Sequence, residues 1–165
     1  MPDFDPGTPS IARENRQFLS RAVTWVANQG VGQFIDLGCG MPTAPNTHET
    51  AQAVRPDARV AYVDNDRVVL SHLRALAEKG SPGVTVAAGD AGDPDAILGA
   101  VSAGLDPAAP TCLIMGLLLH FYDVGTARSL VARYCAALDP VLHDAVLAWL
   151  ERDWPFDSIQ YAPRT

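Results

Sequence analysis

The sequence predicts a doubly wound α/β domain, and three observations carry that prediction. Short apolar runs of strand length alternate with longer stretches whose apolar residues recur at three- and four-residue spacing, the pattern of parallel strands joined by crossover helices. The first such run leads straight into a glycine turn, Asp36-Leu37-Gly38-Cys39-Gly40. Three successive strand-like runs also close on or beside an aspartate, at Asp36, Asp64 and Asp90. That end of the strands is where doubly wound sheets bind their ligands.

Each element can be justified in order. Ser10 to Asn28 reads as a helix, with Phe18, Leu19, Ala22, Val23 and Val26 on one face and Arg13, Glu14, Arg16 and Arg21 on the other. Gln33 to Leu37 is the first strand. Asn46 and Glu49 have capping-box spacing and open a helix that Pro56 ends. Arg59 to Val63 is the second strand, followed by a helix capped by Asp66 and stopped at Gly80. Val84 to Ala88 is the third strand. Asp93-Pro94 places a cap before a proline at the first helical position and opens a helix to about Ala103.

Thr111 to Leu118 is the most hydrophobic run and is expected to be the fourth strand, in a central place. A helix should follow from Asp123 to Leu138. Asp139-Pro140 repeats the cap-and-proline signal, with Leu142, Ala145, Val146, Trp149 and Leu150 on one face, and Ser158 to Tyr161 reads as a short strand. The whole, residues 1–165, is expected to be a single domain, with a flexible start over 1–9 and an atypical helix and tail over 139–165.

Composition bounds the function. The chain has 165 residues, 48% hydrophobic and 19% charged, an ordinary globular balance that can bury a core. A formal net charge of −7 disfavours non-specific binding to nucleic acid or anionic membranes. The opening residues MPDFDPGTPS lack the apolar core of a signal peptide, and the longest apolar run, CLIMGLLLHF, is too short to span a bilayer. Three cysteines, Cys39, Cys112 and Cys135, form no CxxC pair. A cytoplasmic location is expected.

The glycine turn is the main chemical signal. Gly38 and Gly40 let the backbone turn tightly and approach a ligand where a Cβ would collide. Alone, the same turn would also serve as a plain strand-to-helix connection. An acid that meets a ribose stands about 20 residues further on, at the end of the second strand, and Asp64 lies close to that position. Asp66 is the better helix cap, which leaves Asp64 for other work. Asp90 reads equally as an acceptor for an adenine amino group or as turn chemistry within Gly89-Asp90-Ala91-Gly92.

The turn also discriminates between ligands. A dinucleotide fingerprint wants a third glycine three residues after the second, where this chain has Thr43. Asp36 would repel a pyrophosphate, whereas an acidic rim suits a cationic sulfonium. No GxxxxGK[ST] loop is present. The turn favours S-adenosylmethionine over NAD.

RENRQFLSRAVTWVA, QFIDLGCGMPTAPNTHETAQAVRPDARVAYVDNDRVVL and LLLHF together resemble the actinobacterial S-adenosylmethionine methyltransferase-like family once catalogued as a domain of unknown function, over roughly Ile11 to Leu138. The resemblance implies a Rossmann-like class I methyltransferase sheet and S-adenosylmethionine as ligand. By it Asp36, Gly38 and Gly40 match the first methyltransferase motif, Asp64 the ribose-binding acid and Asp90 the adenine-side acid. Cys39, Asn46, Asn65, Ala91 and Met115 complete the expected cofactor shell. Asn46, His48 and Glu49 match the family's Asn-x-His-Glu segment, for which the resemblance supplies no role, and it supplies no methyl acceptor. Two departures stand out. The family's Leu-Gly-Gly-Lys stretch before the first helix is not matched, nor is a Gly-Ser-Tyr-Leu-Val strand after Leu138. The sheet is therefore expected to be shortened at its C-terminal strands, with its open edge covered in a homodimer.

Methyl transfer is a displacement in which positioning does most of the work and a base helps when the acceptor loses a proton. His120 is the best-placed base, although a histidine there commonly just caps a strand end. Phe121 and Tyr122 could wall an acceptor pocket or stack on adenine. Arg16 could turn toward the cofactor carboxylate. His48 is expected near the cofactor or solvated, and His72 and His143 on helix surfaces. Trp25, Trp149 and Trp154 read as packing residues. No metal-ligand spacing and no GxSxG elbow occur. The expected function is S-adenosylmethionine-dependent methylation of a small molecule; the alternative is a non-catalytic S-adenosylmethionine-binding or interaction domain.

Overall fold

The computed structural model describes residues 8–138 apart from Lys79 and Leu117. The expected helix from Asp139 and strand Ser158 to Tyr161 lie outside the described residues. Elements run α1 (Thr8–Asn28), β1 (Gln33–Leu37), α2 (Thr47–Val54), β2 (Arg59–Asp64), α3 (Arg67–Glu78), β3 (Val84–Ala88), α4 (Pro94–Val101), β4 (Thr111–Ile114), a 3-10 turn (Leu118–Phe121) and α5 (Val124–Leu138). The chain divides into two compact units, Met1–Leu119 and His120–Thr165.

In the first unit four parallel strands are ordered β3-β2-β1-β4. Phe34 pairs with Val60 on one side and Cys112 on the other, and Tyr62 pairs with Val86. The order confirms the doubly wound α/β architecture. The direction of winding reverses between β1 and β4, so the loops leaving these two strands diverge and open a crevice at their carboxyl ends.

Side chains alternate across a strand, and the two faces of this sheet have different covers. Phe34, Val60 and Tyr62 point to the face where Val23 and Ala27 of α1, Ala51 of α2 and Leu73 of α3 pack, all buried. On the opposite face a Cβ added at Gly89 would meet both Ile97 of α4 and Val63 of β2, which shows α4 packed there. β1 has neighbours on both edges and helices over it, and all five of its residues are buried. The second unit holds α5, whose Ala127, Leu130, Val131 and Tyr134 share one buried face.

Local signals act as expected. The Glu49 carboxylate accepts from the Asn46 backbone N–H at 2.6 Å, closing the capping box at the start of α2. Asp66 caps α3 by accepting from Val68 N–H at 2.7 Å, and Asp93 caps α4 ahead of Pro94.

Three expectations are corrected. β4 ends at Ile114 and gives way to the 3-10 turn, because Gly116 interrupts the apolar run. It pairs only with β1 among the described residues and so is an edge strand there, not a central one. On α1, Phe18 and Trp25 are 62% and 65% exposed, so the buried stripe is narrower and runs through Val23 and Ala27.

This division of α1 sets a test. Phe34→Ala should cost about 3–5 kcal/mol in chemical denaturation, as deletion of a buried ring does, whereas Phe18→Ala should stay within about 0.5 kcal/mol. Equal losses would place Phe18 in the core.

Candidate functional site

At the carboxyl end of β1 the chain turns through Gly38 (φ +61) and Gly40 (φ +65), a backbone conformation that favours glycine. The Gly38 N–H donates to Val63 O at 2.9 Å, so the turn is clamped to the end of β2. A Cβ at Gly40 would meet nothing within 4 Å. The turn therefore presents bare backbone to open space. Gly38 is different, since a Cβ there would stand 2.9 Å from Leu118 Cδ1.

Asp64 ties the two strands together. One carboxylate oxygen accepts from Gly40 N–H at 3.0 Å and the other from Asp66 N–H at 2.9 Å. The aspartate left free by sequence reasoning is thus already engaged at both oxygens. Oδ1 keeps a second lone pair for a ligand hydroxyl, while Oδ2 also faces the Cys39 thiol, a weak donor, at 4.0 Å.

A cleft of about 440 Å³, counting its open mouth, lies on the α1–α2 side of the turn. Asp36, Cys39, Gly40 and Asn46 line it, together with Arg16 and Ser20 of α1, Thr47 and Thr50 of α2, and Tyr62. Asp36 reaches it because, two residues after Phe34, it shares the helix-covered face of β1. It is 5% exposed and accepts from the Thr47 hydroxyl at 2.7 Å. Burial raises its pKa from the ordinary 3.8 to about 6, with Asp64 adding to the rise while the Thr47 bond and the Arg16 guanidinium oppose it. Arg16 donates to Met41 O at 2.9 Å across the mouth.

The remaining predicted residues are distributed as follows. Asn65 and Asp90 are exposed beyond β2 and β3, and Asp90 accepts from Gly92 N–H at 2.8 Å, a turn contact. Ala91 is buried beside it, and Met115 is half-buried just after β4. None of these four lines the cleft. His120 is exposed in the 3-10 turn and belongs to the second unit. Burial raises the Cys39 thiol, as it does for Cys112, which makes both poor nucleophiles.

His48 is not solvated. It is 3% exposed in the first turn of α2, its backbone N–H donates to the Tyr62 hydroxyl at 2.9 Å, and its Nδ1 lies 2.9 Å from the same oxygen. Burial lowers its pKa, so the ring is neutral near pH 7. Sequence reasoning missed Thr47 and Tyr62. Tyr62 looks like one more apolar strand residue, but its two-residue spacing from Asp64 puts it on the same face of β2.

Among the described residues no group of three or more His, Cys, Asp or Glu could hold a metal ion, and no helix is long and apolar enough to cross a membrane.

A family model described as S-adenosyl methyltransferase matches residues 1–153. Two solved structures are similar to this chain. One, from Thermobifida fusca YX and provisionally described as a methyltransferase, is 43% identical with a TM-score of 0.76, covering 81% of this chain and 51% of its own. The other, a DUF574 family protein from Streptomyces avermitilis MA-4680, is 37% identical with a TM-score of 0.68, covering 76% of this chain and 50% of its own. This chain spans about half the length of both. None of the curated proteins matches it.

The raised Asp36 makes stability depend on pH. Between about 4 and about 6 the folded chain keeps a proton that the unfolded chain has lost, so this group's contribution falls as pH rises through that window. The rise corresponds to roughly 3 kcal/mol. Urea denaturation across a pH series should show Asp36→Asn gaining on the parent protein by about that much between pH 4 and 6. A pH-independent difference would show that the carboxylate titrates normally.

Proposed function

The chain belongs to the S-adenosyl methyltransferase family, and from that premise we propose that it binds S-adenosylmethionine across the carboxyl ends of β1, β2 and β3 and serves methyl transfer to a small-molecule acceptor. The observation that carries this reading is the Asp64 carboxylate holding the Gly40 amide beside a turn whose backbone faces open space. That arrangement offers a close backbone approach and a carboxylate oxygen with a lone pair to spare, which suits a ribose hydroxyl.

The donor set fits the rest of the ligand. Asp36 and Asp64 favour a sulfonium and an ammonium over a phosphate. Arg16, aimed across the mouth of the cleft, suits the ligand's carboxylate. Asn65, Asp90 and Ala91 follow β2 and β3 where an adenosine would extend. Met115, beyond β4, would flank the cofactor, and Cys39 and Asn46 would line its amino-acid end. A dinucleotide fits less well, because the loop 41–46 separates Gly40 from the start of α2 and no helix N-terminus follows the turn directly.

When bound, S-adenosylmethionine supplies a methyl carbon activated by the positive sulfur. The protein's part is to orient that carbon against the acceptor and to exclude water. His120, the base expected from sequence where the acceptor must lose a proton, belongs to the second unit. Homodimerisation would cover the outer edge of β4, and the acidic chain fits a cytoplasmic enzyme with no nucleic-acid partner.

Calorimetric titration with S-adenosylmethionine, S-adenosylhomocysteine and NAD tests the reading. The first two should bind and NAD should not; NAD binding alone would overturn it. Asp64→Ala should weaken S-adenosylmethionine by about 1.5–3 kcal/mol, roughly 10- to 150-fold. Gly38→Val should abolish binding through its strained φ and its clash with Leu118, with the far-UV circular dichroism unchanged. Normal affinity in both variants would place the site elsewhere.

A further inference from the structure

The outward face of α1 carries a pattern that the cleft does not use. Phe18 and Trp25 are exposed there, while the helix buries its other face through Val23 and Ala27. The two rings stand seven residues apart, two helical turns, and so lie on one line along the helix. Glu14 and Arg21, both exposed, lie on the same line, each one turn before a ring. The line therefore reads acid, ring, base, ring. Neither charge makes a hydrogen bond or an ion pair among the described residues.

One exposed aromatic side chain is ordinary, but two in register with opposite charges between them form a surface with a definite complement. An anionic membrane would want basic residues beside both rings, and Glu14 opposes that. A second copy of the helix laid parallel would set Glu14 against Glu14 and Arg21 against Arg21, which repel. Laid antiparallel, about a two-fold axis midway between these positions, it sets each Glu14 opposite the partner's Arg21, and symmetry makes the contact twice. The axis then passes beside Phe18, so the two Phe18 rings meet at the centre. Each Trp25 falls over the first turns of the facing helix.

We infer that α1 pairs antiparallel with α1 of a second copy of this chain, through Phe18 and Trp25 held between reciprocal Glu14–Arg21 ion pairs. This contact is separate from the edge of β4. It also leaves the cleft open. Arg16 stands two residues from both Glu14 and Phe18, about 200° round the helix, and so turns away from the paired face toward Met41. A single helix pair buries less than the roughly 1,200 Å² of a standard interface, so the association is weak. It comes apart at the dilution of a denaturation experiment.

The inference does not depend on the proposed function, and its test needs no ligand. Sedimentation equilibrium over a dilution series should show the parent chain associating in a step that added salt weakens. Glu14→Arg and Arg21→Glu each place like charges together twice, and each should weaken that step roughly tenfold, with the double reversal restoring it. Phe18→Glu should abolish the step and leave the far-UV circular dichroism unchanged, because the ring lies outside the core. None of these substitutions touches β4. Association that every variant leaves at parental strength would run through another surface and overturn the inference. A parent chain still monomeric at about 1 mM would overturn it as well, as would single reversals whose loss the double variant does not recover.

Discussion

A carboxylate forced into the dry end of a strand must find donors or give up its charge, and Asp36 does some of each. Its bond to Thr47 is the contact around which the site is arranged. To deliver that hydroxyl, α2 must begin where it does, which calls for the Asn46–Glu49 cap and for the loop 41–46 that leads into it. The loop can leave β1 at the required angle only through two glycines with positive φ. The same turn then lies against β2, where Asp64 secures it. One buried charge thereby couples β1, α2 and β2.

The two aspartates at this edge of the sheet show how environment separates chemically identical groups. Asp64 spreads its acceptors over two backbone amides, Gly40 and Asp66, both from turns outside the sheet. Asp36 has a single hydroxyl donor and deeper burial, and its charge is held with the help of Arg16. A ligand carrying positive charge at one end and hydroxyls further along would meet them in that order. That match is why the donor set supports a sulfonium nucleoside more than a pyrophosphate.

Much of this was legible in the sequence. Strand boundaries at Gln33–Leu37 and Val84–Ala88 follow from short apolar runs bounded by turn residues, and Asn46, Asp66 and Asp93 mark helix starts by local chemistry alone. The glycine turn and the Asp64 position were equally visible. What escaped were features settled by tertiary contacts. Periodicity proposed a broad apolar face for α1, but only the part that meets α2 and the sheet is buried, which leaves Phe18 and Trp25 outside. An apolar run from Thr111 to Leu118 reads as one long strand until Gly116 interrupts it. His48 could be read only as near the cofactor or solvated, because its partner, Tyr62, lies on another element and is disguised by an apolar strand. Buried polar networks depend on pairings far apart in sequence, and no single-residue signal reveals them.

The hydrogen bond from Arg16 to the carbonyl of Met41 has a consequence of its own. A free arginine side chain carries about 2 kcal/mol of rotamer entropy, which an arriving anion would have to freeze out. Here the guanidinium is already moored when the chain folds, and moored to a neutral group, so its full charge remains available. Recruitment of a carboxylate at the mouth would then be a matter of docking against a standing cation, with little reorganisation on the protein side. The helix that carries Arg16 thus works as a gantry, holding a charge over the cleft before anything has come to occupy it.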